Sequence, residues 1–106
     1  MVRGILVIKH IVLWKLKESV DGRSKKEWAA EMKAALEGLV GKVPGIKALE
    51  VGLNFNTADT ASDISLYTVF DGPKDLEIYQ KHPEHMKVVE LVKKITTERR
   101  VSDYEV

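Results

Sequence analysis

No stretch of this chain restricts its fold as much as Ile5 to Leu16, which reads as one strand rich in Ile, Val and Leu. Successive side chains of a strand point to opposite faces. Ile8, His10, Val12, Trp14 and Leu16 therefore share one side, while Val7, Ile11 and Leu13 share the other with Lys9. An antiparallel strand with one wet face alternates apolar with polar residues. This strand is apolar on both sides near its middle, so both sides need cover.

The rest of the chain supplies cover for one side. Asp21-Gly22 marks a turn, and Ser24 with Glu27 fits a capping box that starts a helix. Trp28, Met32, Ala35, Leu36, Leu39 and Val40 recur at helical spacing to about Val40. Gly41 suits a left-handed helix end, and Pro44 forbids continuation. Gly45 to Phe55 reads as a second strand, Asn56 to Ser62 as a polar loop, and Asp63 to Phe70 as a third strand paired antiparallel to the second. Asp71-Gly72-Pro73 turns into a second helix, which Pro83 must break near His82. A further helical piece runs to about Thr96, and Arg99 to Val106 reads as a closing strand.

Strand, helix, strand, strand, helix, strand over residues 1–106 predicts a single α+β domain: a ferredoxin-like βαββαβ sandwich with a four-stranded antiparallel sheet and both helices on one face. The other sheet face would expose an apolar patch of the size soluble monomers avoid. A two-fold copy laying its own sheet against that face is the simplest remedy, so the expected partner is the chain itself, in a homodimer whose two sheets form a dimeric α/β barrel.

Charge and cysteine content narrow the function classes. Lys+Arg 17 against Asp+Glu 16 leaves a formal charge of +1, which provides no field for nucleic acid or an anionic membrane surface. The chain has no cysteine, and no apolar run approaches the roughly 18 residues of a membrane span. Ile5 to Ile8 after Arg3 imitate the start of a signal peptide, but Lys9 and His10 end the run early. A cytoplasmic location is expected. Chemistry-bearing side chains are few. His10 lies in the first strand, and Tyr79, His82 and His85 lie around Pro83 in Tyr79-Gln80-Lys81-His82-Pro83-Glu84-His85. The same segment also reads as a kinked helix in which His82 caps the new piece and His85 bonds locally. His82 and His85 have a spacing seen in metal sites, but the proline breaks the helix that would align them and no third ligand lies nearby, so no metal is expected.

Four segments carry a resemblance to a known family. Ile8-Lys9-His10-Ile11-Val12-Leu13-Trp14-Lys15-Leu16-Lys17 resembles the opening strand of stress-responsive A/B barrel domain (Dabb) proteins. Val43-Pro44-Gly45-Ile46-Lys47 followed by Glu50-Val51-Gly52 resembles their helix-to-strand passage, the segment around Pro83 is similar to their second helix, and Asp103-Tyr104 to their closing strand. The resemblance implies a ferredoxin-like subunit and a dimeric α/β barrel. It also implies, from a plant member that closes a linear polyketide without metal or cofactor, a catalytic histidine and tyrosine at His85 and Tyr79 and a further pocket histidine at His10. That member's third-strand histidine falls on Ile64, so this element is absent here.

Two functional readings follow. In one, a small apolar pocket lined by His10, Trp14, Tyr79 and His85, with His82 beside it, takes a small carbonyl or polyketide-like compound. His85 in a helix's first turn would stay neutral and act as base, and Tyr79 would donate to a developing enolate oxygen. In the other, the dimer is a non-catalytic stress or assembly protein, Trp14 and His10 are core residues, and the interior is packed. A cofactor-independent monooxygenase-like activity is a further alternative. A pocket of about 300 Å³ or more around His85 separates the first reading from the second.

Overall fold

The computed structural model describes residues 6–106, so the expected strand start at Ile5 lies outside the described residues. The first strand, β1 (Ile8–Leu16), is followed by a short hairpin of β2 (Ser19–Val20) and β3 (Arg23–Ser24). Asp21 and Gly22 have φ of 50° and 75°, the left-handed pair that a two-residue hairpin turn requires. Next come α1 (Lys25–Glu37), β4 (Ala48–Leu53), β5 (Ile64–Phe70), α2 (Pro73–Lys81), α3 (Pro83–Ile95) and β6 (Thr96–Glu105).

The main sheet has the order β4-β5-β1-β6 and every neighbouring pair is antiparallel. This is the ferredoxin-like topology, with the first strand at its centre. Val12 faces Leu66 on β5 and Val101 on β6, and Trp14 faces Ile64 and Arg99. The alternation read from the sequence holds: Ile8, His10, Val12, Trp14 and Leu16 are all buried beneath the helices. They meet Trp28, Met32 and Leu36 of α1, Leu76 and Tyr79 of α2, and Val92 and Ile95 of α3. The opposite sheet face carries Lys9, Ile11 and Leu13 of β1 beside Tyr67 of β5 and Tyr104 of β6. Among the described residues no helix covers it. Ile11 and Leu13 are only half-buried, and Tyr104 is 45% exposed.

Local signals set most element ends. The Ser24 hydroxyl accepts from the Glu27 N–H while the Glu27 carboxylate accepts from the Ser24 N–H, closing the capping box. Pro83 divides the second helix as expected, with His82 in extended backbone between the two pieces. Several boundaries differ from the sequence reading, among them the start of β4 at Ala48 instead of Gly45. Helix α1 ends at Glu37, because the chain tightens into a 3-10 turn over Gly38–Gly41 that buries Leu39. Gly41 is not left-handed. Gly45 is, at φ +88°, and a Cβ there would stand 3.2 Å from the Asp75 carboxylate. Strand β4 stops at Leu53, and Phe55, expected within it, is 97% exposed, since the Asn54 and Asn56 side chains bond to nearby backbone and turn the chain away. Strand β6 starts at Thr96 instead of Arg99, because the Thr96 hydroxyl caps α3 by donating to the Val92 carbonyl and releases the chain straight into the sheet.

The capping box gives a direct test. Ser24→Ala should lower unfolding stability by about 1 kcal/mol in urea titration at fixed protein concentration, and Ser24→Thr should keep most of it.

Candidate active site

The inner face of β1 does not pack flush against the helices along its whole length. A cavity of about 500 Å³ separates it from α2 and α3, with β6 forming one side of the mouth. His10, Val12 and Trp14 enter from β1, Tyr79 from α2, and His85 and Val92 from α3. The sequence reading thus placed His10, Trp14, Tyr79 and His85 around one space, and the structure brings these four together. The space exceeds the volume set to separate a ligand pocket from a packed interior.

His82 is not part of it. Its Nδ1 accepts from the Glu84 N–H at 3.1 Å, which caps α3, and its ring lies on the outer side of the helix break beside Lys74 and Ile78. The proline fixes this outcome: extended backbone before Pro83 turns His82 outward while the next turn carries His85 inward. The pocket role expected for His82 is corrected to a helix cap.

His10 is the most constrained of the four. It is 3% exposed, and its Nδ1 is bonded to the Asp103 carboxylate. Asp103 stands directly opposite His10 in the β1–β6 register, so the two side chains emerge on the same sheet face. From the other side, the Thr68 hydroxyl donates to the His10 carbonyl at 2.9 Å. A carboxylate only accepts, so Nδ1 donates this bond and Nε2 is left free of it.

Tyr79 has no exposed surface and lies between Phe70, at 5.2 Å between ring centroids, and His85, at 4.3 Å. The His10 ring meets it edge-on at 6.2 Å. Its hydroxyl is buried and has no hydrogen-bond partner among the described residues, and burial pushes its pKa up to about 12. Near neutral pH it is therefore a phenol with a proton to donate. An unmade hydrogen bond of this kind costs about 1–3 kcal/mol, which an incoming acceptor oxygen offsets.

His85 is half-buried. Its Nδ1 lies 3.2 Å from the Gln80 carbonyl, which can only accept, so Nε2 is again the free nitrogen of the neutral ring. Burial holds its pKa below the ordinary histidine value, opposed by the Gln80 carbonyl and helped by the nearby His10 and His82 rings and the Arg99 guanidinium. The Trp14 indole N–H is likewise buried without an acceptor. At Ile64 the side chain is wholly buried next to Trp14 and offers no polar group. Among the described residues, no group of three or more His, Cys, Asp or Glu side chains is placed to hold a metal ion. Sequence reasoning gave Asp103 no part in the site. Only a strand register could have found it, because its partner lies 93 residues away in the chain.

A family model described as Stress responsive A/B Barrel Domain matches residues 8–106. Among solved structures, a dimeric protein of unknown function and ferredoxin-like fold from Bacteroides fragilis is 36% identical, with a TM-score of 0.83 over 94% of this chain and 96% of its own. A dimeric ferredoxin-like protein of unknown function from Thermobifida fusca is 21% identical, with a TM-score of 0.80 over 95% of this chain and 92% of its own. A hydroxynitrile lyase from Passiflora edulis is 15% identical, with a TM-score of 0.81 over 97% of this chain and 95% of its own, a likeness of fold alone. Among curated proteins nothing matches.

Imidazole titration by NMR should place the His85 midpoint below 6.5, with Arg99→Gln moving it upward. The sign for stability follows. Between that midpoint and 6.5 the unfolded chain binds more protons than the folded one, so His85 makes stability fall as pH drops through this interval.

Proposed function

From its membership of the stress-responsive A/B barrel domain family, to which this chain belongs, we propose a homodimer that binds a small carbonyl compound in each subunit and moves a proton at the carbon beside the carbonyl. The observation that carries this reading is the neutral His85 ring tilted against the unpaired Tyr79 phenol, 4.3 Å between centroids, beside a cavity of about 500 Å³. His85 Nε2 takes the proton, the electrons of the broken C–H bond pass to the carbonyl oxygen, and the Tyr79 hydroxyl donates to the enolate that forms. The His10 ring, held by Asp103, offers a second free Nε2 for returning or relaying the proton. No step calls for a cofactor. The cavity also weighs against a purely structural role, for which a packed interior would serve better.

The dimer reading draws on the uncovered face of the sheet and on neighbours that are described as dimeric. Sedimentation at micromolar concentration should give about twice the 11.9 kDa of the chain, and an 11.9 kDa species alone would contradict it.

The chemistry is tested with 4-phenylbutan-2-one in deuterated buffer. The protein should accelerate exchange of the protons next to the carbonyl, and Tyr79→Phe or His85→Asn should each cut the acceleration by about 10²–10⁴-fold. Tyr79→Phe removes an unpaired buried hydroxyl and should leave thermal stability unchanged or slightly raised. Exchange no faster than buffer, or unaltered in both variants, would sink the reading.

A further inference from the structure

We propose that the compound held in this cavity carries an anionic oxygen group in addition to its carbonyl, and that Arg99, with Lys93, binds that group. The inference rests on the carbonyl reading above and adds the chemistry of the substrate's other end.

Arg99 stands opposite Trp14 in the β1–β6 register, which puts it on the helix-facing side of the sheet. The β1 residues on that side near it, Val12, Trp14 and Leu16, are buried and apolar. The Arg99 side chain is exposed at the cavity mouth, where its guanidinium is open to a ligand and needs no carboxylate partner to be stable. Among the described residues none pairs with it. The acids closest to it on β6 are engaged elsewhere: Glu98, also on the cavity wall, faces Arg100 at 3.4 Å, and Asp103 holds His10. Lys93 of α3 lines the same cavity and likewise has no acidic partner among the described residues. Two cations from separate elements thus converge on one cleft with apolar walls, an arrangement that concentrates anionic ligands. The Trp14 indole N–H, buried and without an acceptor among the described residues, belongs to the side chain opposite Arg99.

Val88 and Val92 line the same cavity, so a ligand reaching from Tyr79 and His85 to Arg99 carries an apolar portion between its carbonyl and its anion.

A matched pair of probes tests this: 4-phenylbutan-2-one and 4-(3-oxobutyl)benzoate, which differ by one para carboxylate. Each is titrated into the full chain at low salt and followed by NMR. The keto acid should bind about tenfold more tightly, a difference worth one charge-assisted contact, and the advantage should shrink as salt rises. Arg99→Gln, at an exposed position, should erase the advantage. Lys87→Gln, which removes a like charge from α3 away from the cavity, should keep it. The Trp14 indole N–H signal should move with the keto acid and much less with the ketone. Equal affinities for the two probes, or an advantage that survives Arg99→Gln, would overturn the proposal. If the ketone shifts the His85 and Tyr79 signals while the acid binds no better, the carbonyl reading stands and this one falls. If neither probe moves those signals, both fall.

Discussion

The contact between the inner face of β1 and the helices organises everything else in this subunit. Val12, Trp14 and Leu16 are buried against Trp28, Met32 and Leu36 from one side of the helical layer and Val92 and Ile95 from the other. Each buried aliphatic or aromatic side chain contributes about 1.5–3 kcal/mol, so this seam outweighs any surface ion pair. Because β1 is central, its two neighbours are hydrogen-bonded along nearly its whole length. The strand that holds the core together is thereby also the most rigid place to mount a functional group. His10 sits there, in the middle of the apolar series.

A cavity next to such a seam has a cost, since unfilled space forfeits packing. The break at His82 lets α2 and α3 pack as separate pieces. Tyr79 lies in the last turn of the first and His85 in the first turn of the second, so the break brings the two rings together at the cavity wall. The buried, unpaired Tyr79 hydroxyl and Trp14 indole N–H point the same way: a fold optimised for stability alone would not leave two buried donors without acceptors.

Electrostatics give the site two unlike kinds of group. Burial keeps Tyr79 protonated and His85 neutral, which suits a donor and a base. Arg99 and Lys93 also line the cavity and bring positive charge to it. A net charge of +1 for the whole chain gives no hint of this local asymmetry, because surface pairs such as Lys25 with Glu18 and Lys94 with Asp21 cancel over the rest of the molecule.

Whatever depends on residues close together in the chain was legible from the sequence. Strand alternation from Ile8 to Leu16, the Ser24 capping box and the break at Pro83 each involve groups within a few residues, so their geometry follows from backbone periodicity and local hydrogen bonding. The element order then limits the topology to few choices, and the family segments around His10 and His85 pointed to the same cavity. What the tertiary structure alone decided lies across the sheet: Asp103 on His10, Arg99 beside Trp14, and His82 turned away as a cap while His85 turns in. Each depends on register or on the direction in which a broken helix resumes. Those are set by packing among segments as many as 93 residues apart, and no local pattern encodes them.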